Sequence, residues 1–164
     1  MSNYTTAEIL AEIETYFQSI WAKKPEDMET LEALTLPPMG NMPCTLYCSF
    51  NLFWLGESMQ AMRAAAQKQS ASLETICFAI AEEFGRHASR LVKWHVPHTE
   101  ALVVKLQDYF AACTPVSYEE FITVITKALV AIDTMQNWID SAIPWSKMDA
   151  VLGGLNHVWT GKDE

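Results

Sequence analysis

The sequence predicts an all-α fold, and three observations carry that prediction. Apolar residues recur at i, i+3 and i+4 through most of the 164 residues, whereas runs of strict apolar/polar alternation are missing. Pro25, Pro43, Pro97, Pro115 and Pro144 fall between the periodic stretches, where the ring and the missing N–H do no damage to a helix interior. Two stretches open on a hydroxyl residue with a glutamate three positions on, Thr5 with Glu8 and Ser117 with Glu120, the pattern of a capping box.

The elements follow in order. Thr5 opens a helix whose apolar stripe is Ile9, Ile13, Phe17, Ile20 and Trp21 and which stops before Pro25. A short acidic helix from Pro25 to about Leu34 sets Met28, Leu31 and Leu34 against Glu26, Asp27, Glu29 and Glu32, and its proline and its charges both suit a helix N-terminus. Leu36 to Pro43, with three prolines and a glycine, cannot continue a helix; it is read as an internal loop, because the segments beside it are too short to bury a core alone. The next helix runs from Cys44 to about Gln69. Leu46, Phe50, Phe53, Trp54, Met59 and Met62 leave it so little polar surface that it is expected to be central and covered on more than one side. Ser72 caps a helix carrying Leu73, Ile76, Ile80, Phe84, Leu91 and Trp94, with Gly85 inside it, where close approach by another helix is the physical reason for a residue that costs about 1 kcal/mol against alanine.

After Pro97, His98 or Thr99 caps a helix with Leu102, Val103, Leu106, Tyr109 and Phe110 buried, ending near Cys113. Ser117 starts a long helix to about Ala142 through Phe121, Val124, Ile125, Ala128, Ile132, Met135 and Ile139. A last amphipathic helix begins at Ser146, with Met148, Val151, Leu152, Leu155, Val158 and Trp159, interrupted by Gly153-Gly154. The architecture expected is a single-domain antiparallel bundle over residues 1–164, with six to seven helices of which four are long, and with the first helix packed against those four.

Composition narrows the function classes. The chain carries 20 acidic and 11 basic side chains, a net charge of −9, so its field repels the phosphates of nucleic acid and of anionic membranes. The most apolar window, Leu46 to Leu55, is interrupted by Cys48, Ser49 and Asn51 and is about half the roughly 20 residues that a membrane span needs. The N-terminus has no basic stretch followed by an apolar core, and the cysteines Cys44, Cys48, Cys77 and Cys113 sit within helical patterns as small reduced hydrophobes; both features indicate a cytoplasmic protein.

Candidate chemistry is sparse. His87, His95 and His98 gather around the end of one helix with Glu83 one turn before His87. A metal centre in a bundle wants more ligands in register, such as a Glu-x-x-His on facing helices, and none occurs, so Glu83 and His87 read equally as an ordinary surface pair. Cys44 and Cys48 lie about one turn apart, a spacing short of the four ligands of a zinc site and different from the redox Cys-x-x-Cys. Asp133 stands in a mostly apolar helix and is placed on its narrow polar face rather than in the core. Nucleophile-elbow, phosphate-loop, zinc-protease and calcium-loop motifs are absent, and no cofactor is implied.

Two readings follow. The first is a non-enzymatic acidic module (an adaptor, inhibitor, immunity or chaperone-like protein) that binds another protein with a basic surface. Its surface would use Glu26, Asp27, Glu29 and Glu32, on a stretch from Pro25 to Met62 without a basic residue, together with Trp145 and Trp159 near the chain end. The second is a bundle, with an enzyme among its forms, that holds a metal, cofactor or apolar small molecule through Glu83, His87, His95, His98, Cys44 and Cys48. The reading leans away from catalysis, because no constellation of acid, base and nucleophile stands out.

Overall fold

The computed structural model describes residues 4–22, 44–94 and 99–142, and every regular element among them is helical. These are α1 (Thr6–Ala22), α2 (Cys44–Lys68), α3 (Leu73–Trp94), α4 (Thr99–Ala111) and α5 (Tyr118–Ala142). The acidic helix expected from Pro25, the loop to Pro43 and the helix expected from Ser146 lie outside the described residues, as do His95, His98, Trp145 and Trp159.

Helix ends form where short polar side chains satisfy the orphan backbone groups. At α1 the capping box is complete: Glu8 N–H donates to Thr5 Oγ1 and Thr5 N–H to Glu8 Oε1, each at 3.1 Å. Ser72 Oγ accepts the Thr75 N–H at 3.1 Å to start α3. Ser117 Oγ accepts the Glu120 N–H at 3.1 Å to start α5, but the reverse arm of the expected box is replaced: Glu120 turns its carboxylate toward Val116 N–H, at 3.3 Å, and toward Thr6 on α1. At their C-termini α2 and α4 close in the same way. Ser70 N–H reaches Ala65 O at 3.0 Å and Thr114 N–H reaches Tyr109 O at 3.2 Å, with Gln69 and Cys113 at φ 50° and 53° where glycine is usual.

Side-chain pairings set the directions. The tight turn after Lys68 and the Asn51–His87 contact make α2 and α3 an antiparallel hairpin. Gly85 faces Gln107, so α4 runs back along α3. A Cβ at Gly85 would stand 2.5 Å from Gln107 Nε2, the far end of a flexible side chain rather than the α4 backbone, so the contact at this glycine is with a movable amide. Tyr118 OH donates to Ala71 O at 2.8 Å while Gly56 faces Leu129 and Asp133, so α5 runs antiparallel to α2. The fourth side of this bundle departs from the simple up-and-down form: α1 packs against both α4 and α5, along the side between them. Lys105 Nζ donates to Glu12 Oε2 at 2.7 Å and Tyr109 meets Thr6 at 2.8 Å, which orients α1 antiparallel to α4.

The core is where the stripes converge. Ile9, Ile13, Ile80, Phe84, Val103, Leu106, Tyr109, Phe110, Phe121, Val124, Ile125, Ile132 and Met135 are all buried. Phe110 stands between Phe84 of α3 and Phe121 of α5, with ring centroids 5.7 and 5.1 Å away. The α2 stripe is corrected: Leu52, Leu55 and Met59 point inward, whereas Phe53 and Trp54 are 45% and 51% exposed. Among the described residues α2 packs chiefly against α3 and α5, and successive helical residues rotate by about 100°, so a run that is apolar all round leaves part of itself outside those two contacts.

Two predictions follow from this packing. Phe84→Ala is expected to cost about 3 to 5 kcal/mol and Ile80→Ala about 2 to 5, because each leaves a cavity in a closed core; urea denaturation measures both, and an unmoved midpoint contradicts the packing. The second concerns alkaline pH. Burial pushes the Tyr109 hydroxyl from 10.0 to about 12, against the opposing hydrogen bond of Thr6 and with further help from Glu120 and Cys77. The folded chain therefore keeps a proton that the unfolded chain has released, and stability present below pH 10.0 is lost as pH rises through about 12. Cys77, pushed from 9.0 to about 12 first by burial and then by Cys113, adds to the same decline. Tyr109→Phe is expected to make the fall in unfolding free energy over that range shallower; an unchanged slope contradicts it.

Candidate functional site

The α2/α3 hairpin opens on its outer side into a cleft of about 520 Å3. Trp54, Glu57, Ser58 and Ala61 line it from α2, and Glu83, Arg86 and His87 from α3. The spacings explain the convergence. Residues three, four and seven apart share one helix face, and an antiparallel neighbour brings the matching face of α3 alongside.

A buried polar pair forms part of the inner wall. His87 is 4% exposed and its Nδ1 lies 3.1 Å from Asn51 Oδ1. An amide oxygen only accepts, so this contact places a ring proton on Nδ1 and fixes the orientation of the imidazole. The other ring nitrogen, Nε2, stands 3.6 Å from Glu83 Oε2, and Glu83 Oε1 accepts from Arg86 at 3.0 Å. The sequence placed Glu83 and His87 together, and the structure does so, but the reading of His87 as half of a surface pair is corrected. Only Glu83 and Arg86 reach the surface, because Asn51 of α2 covers the ring.

The rim is aromatic and acidic. Phe53 and Trp54 meet edge to face, with centroids 5.3 Å apart and planes at 76°. Beyond Glu57 lies Asp133 of α5, exposed as its sequence context indicated. Partial desolvation of the carboxyl where it lies against Gly56 of α2 raises its pKa; Arg63 opposes the shift and the negative charge of Glu57 adds to it. A separate groove of about 240 Å3, lined by Leu10, Ile13 and Phe17 of α1 and Thr126, Lys127 and Val130 of α5, is less polar and carries no such cluster.

Cys44 and Cys48 fall within α2, with side chains outside the described residues, as are Glu26, Asp27, Glu29, Glu32, Trp145, Trp159, His95 and His98. Among the described residues no group of three or more His, Cys, Asp or Glu side chains is arranged to hold a metal ion, and no helix is long and apolar enough to cross a membrane. Cys77 is buried and Cys113 half-buried, both as free thiols. Sequence reasoning missed Asn51, Trp54, Glu57 and Arg86 as site residues. The one available signal was Asn51 itself, an amide within the most apolar stretch of the chain. Comparison with protein-family models, with curated proteins and with solved structures finds no match.

Removing one half of the buried pair is expected to cost more than removing both. Asn51→Ala takes an acceptor from a buried imidazole N–H, a loss of about 1 to 3 kcal/mol, whereas Asn51→Leu combined with His87→Phe replaces both polar groups by apolar ones. A double-mutant cycle on unfolding free energies is expected to show coupling above about 0.5 kcal/mol, and strict additivity contradicts the interaction.

Proposed function

We propose that this protein is a non-enzymatic helical module that recognises another protein, with the α2/α3 face as part of its binding surface. One observation carries the reading: the paired aromatic rings of Phe53 and Trp54 stand about half exposed at the lip of a cleft whose wall holds a fixed polar pair. Tryptophan beside a preformed cleft is the composition of an interface hot spot, where a large rigid side chain gives area at little entropic cost. The net charge of −9 and the carboxylates Glu57, Glu83 and Asp133 along this face favour a partner with a basic surface, which such a field steers into encounter. An adaptor, inhibitor, immunity or chaperone-like role in the cytoplasm fits this chemistry. The acidic stretch Glu26, Asp27, Glu29 and Glu32 and the tryptophans Trp145 and Trp159 belong to the same proposal as further surface, in a bundle of six to seven helices.

The test is capture of the partner from the native host by the full chain, with variants read side by side. Trp54→Ala is expected to lose at least about 2 kcal/mol of binding, as hot-spot truncations do, while Val116→Ser, which alters an isolated exposed apolar residue, leaves capture intact. Retention of every captured protein by Trp54→Ala overturns the assignment of this face.

A further inference from the structure

We propose that Cys113 is a site of reversible oxidation by hydroperoxides and that Cys77 is its resolving partner, the two closing into a disulfide that ties the start of α3 to the turn after α4. This chemistry is independent of the recognition reading above. Topology brings the two thiols together. The antiparallel register that stacks Phe84 on Phe110 and sets Gly85 against Gln107 carries the start of α3 to the end of α4. Cys77 lies about two turns before Phe84 on the same face of α3, and Cys113 follows Phe110 just beyond the last turn of α4. The Tyr118 hydroxyl, bonded to Ala71 O at 2.8 Å, holds the turn that carries Cys113 beside the loop that precedes α3. There the two reduced side chains are hydrogen-bonded to each other. The Cys113 backbone is fixed as well: its N–H donates to Phe110 O at 2.9 Å and its φ is 53°, so a Cβ is kept at a position where glycine is usual.

Exposure divides the roles. Cys113 is half-buried and is the thiol of the two that a dissolved oxidant meets, whereas Cys77 is 0% exposed. Burial first, then the charge and the hydrogen bond of Cys113, push the Cys77 thiol up to about 12, so near neutral pH it stays protonated until a sulfur electrophile forms beside it. With hydrogen peroxide the steps balance. The Cys113 thiolate attacks one peroxide oxygen; an S–O bond forms, the O–O bond breaks, and the released hydroxide leaves as water with the proton the thiol gave up, so Cys113 becomes a sulfenic acid. The Cys77 sulfur then attacks the Cys113 sulfur; the S–S bond forms, the S–O bond breaks, and hydroxide leaves with the Cys77 proton as a second water. Two thiols have given two electrons and two protons to one peroxide. A dithiol reductant reverses the change by attack on the more exposed Cys113 sulfur, expelling Cys77 and ending as a disulfide itself.

The experiment treats the full reduced chain with hydrogen peroxide, blocks the remaining thiols with iodoacetamide and maps tryptic peptides by mass spectrometry without reductant. The expected product joins residues 69–86 to residues 106–127, is lighter than the two peptides together by two hydrogen atoms, and is undone by dithiothreitol. In denaturing urea Cys44 and Cys48 compete and the fold no longer closes the loop between Cys77 and Cys113, so the share of this product is expected to fall about tenfold. Cys77→Ala, with its fold verified by circular dichroism, is expected to stop at the Cys113 sulfenic acid, trapped as its dimedone adduct. Dimedone added with the peroxide to the native chain makes the same distinction without a variant: the adduct is expected on Cys113 and not on Cys77. Absence of the linked product, an equal share of it in urea, a dimedone adduct on Cys77, or conversion of Cys113 to the sulfinic acid while Cys77 stays free overturns the proposal. Linkage of Cys113 to Cys44 or Cys48 in the folded chain overturns the choice of Cys77.

Discussion

The packing of Phe110 between Phe84, on which it stacks, and Phe121, whose ring is tilted at 59°, is the contact on which the rest of the structure depends. It draws one ring from each of α3, α4 and α5 to a common point, and Tyr109 meets Phe110 edge to face with centroids 5.0 Å apart. Large flat side chains in mutual contact admit few alternative arrangements at native packing density, so this cluster fixes the spacing of three helices at once. α2 adds Leu52, Leu55 and Met59 to this core.

A second constraint is polar. Tyr109 OH and Thr6 Oγ1 share a hydrogen bond and Thr6 is bonded in turn to Glu120, so a chain of hydrogen bonds ties the start of α1 to α4 and to the start of α5. The glutamate that local capping would spend on its own helix is used to locate another one. This is why α1 lies along the side between α4 and α5 rather than across an end of the bundle, and why the groove beside it is lined by Leu10, Ile13, Phe17 and Val130.

The candidate site is a by-product of how many neighbours α2 has. Its apolar sequence would suit a helix covered on every side, yet among the described residues it packs chiefly against α3 and α5, and Phe53 and Trp54 stand outside at the edge of the hairpin. Asn51 and His87 meet across the same seam and satisfy each other in a place that water reaches poorly. An exposed aromatic lip over a fixed polar wall is costly to keep unless something covers it, and that cost is the physical basis for reading the face as a recognition surface.

The sequence by itself determined the helices, because their signals are local. Among the described residues, the Thr5–Glu8 box and the Ser72 and Ser117 caps start α1, α3 and α5 one residue after the capping residue, and α2 ends one residue before the expected Gln69. It also determined the buried faces of α4 and α5, where one amphipathic stripe is unambiguous. Tertiary structure decided what local periodicity leaves degenerate. In α2 apolar residues occur all round the helix, and only the number of packed neighbours selects Leu52 over Phe53 for the core. Glu120 has two competing acceptors' duties within reach of its carboxylate, and only the arrival of Thr6 from the other end of the chain resolves them. His87 and Asn51 lie 36 residues apart, a relation that no spacing rule reads, because their contact is set by the register of two helices across a turn.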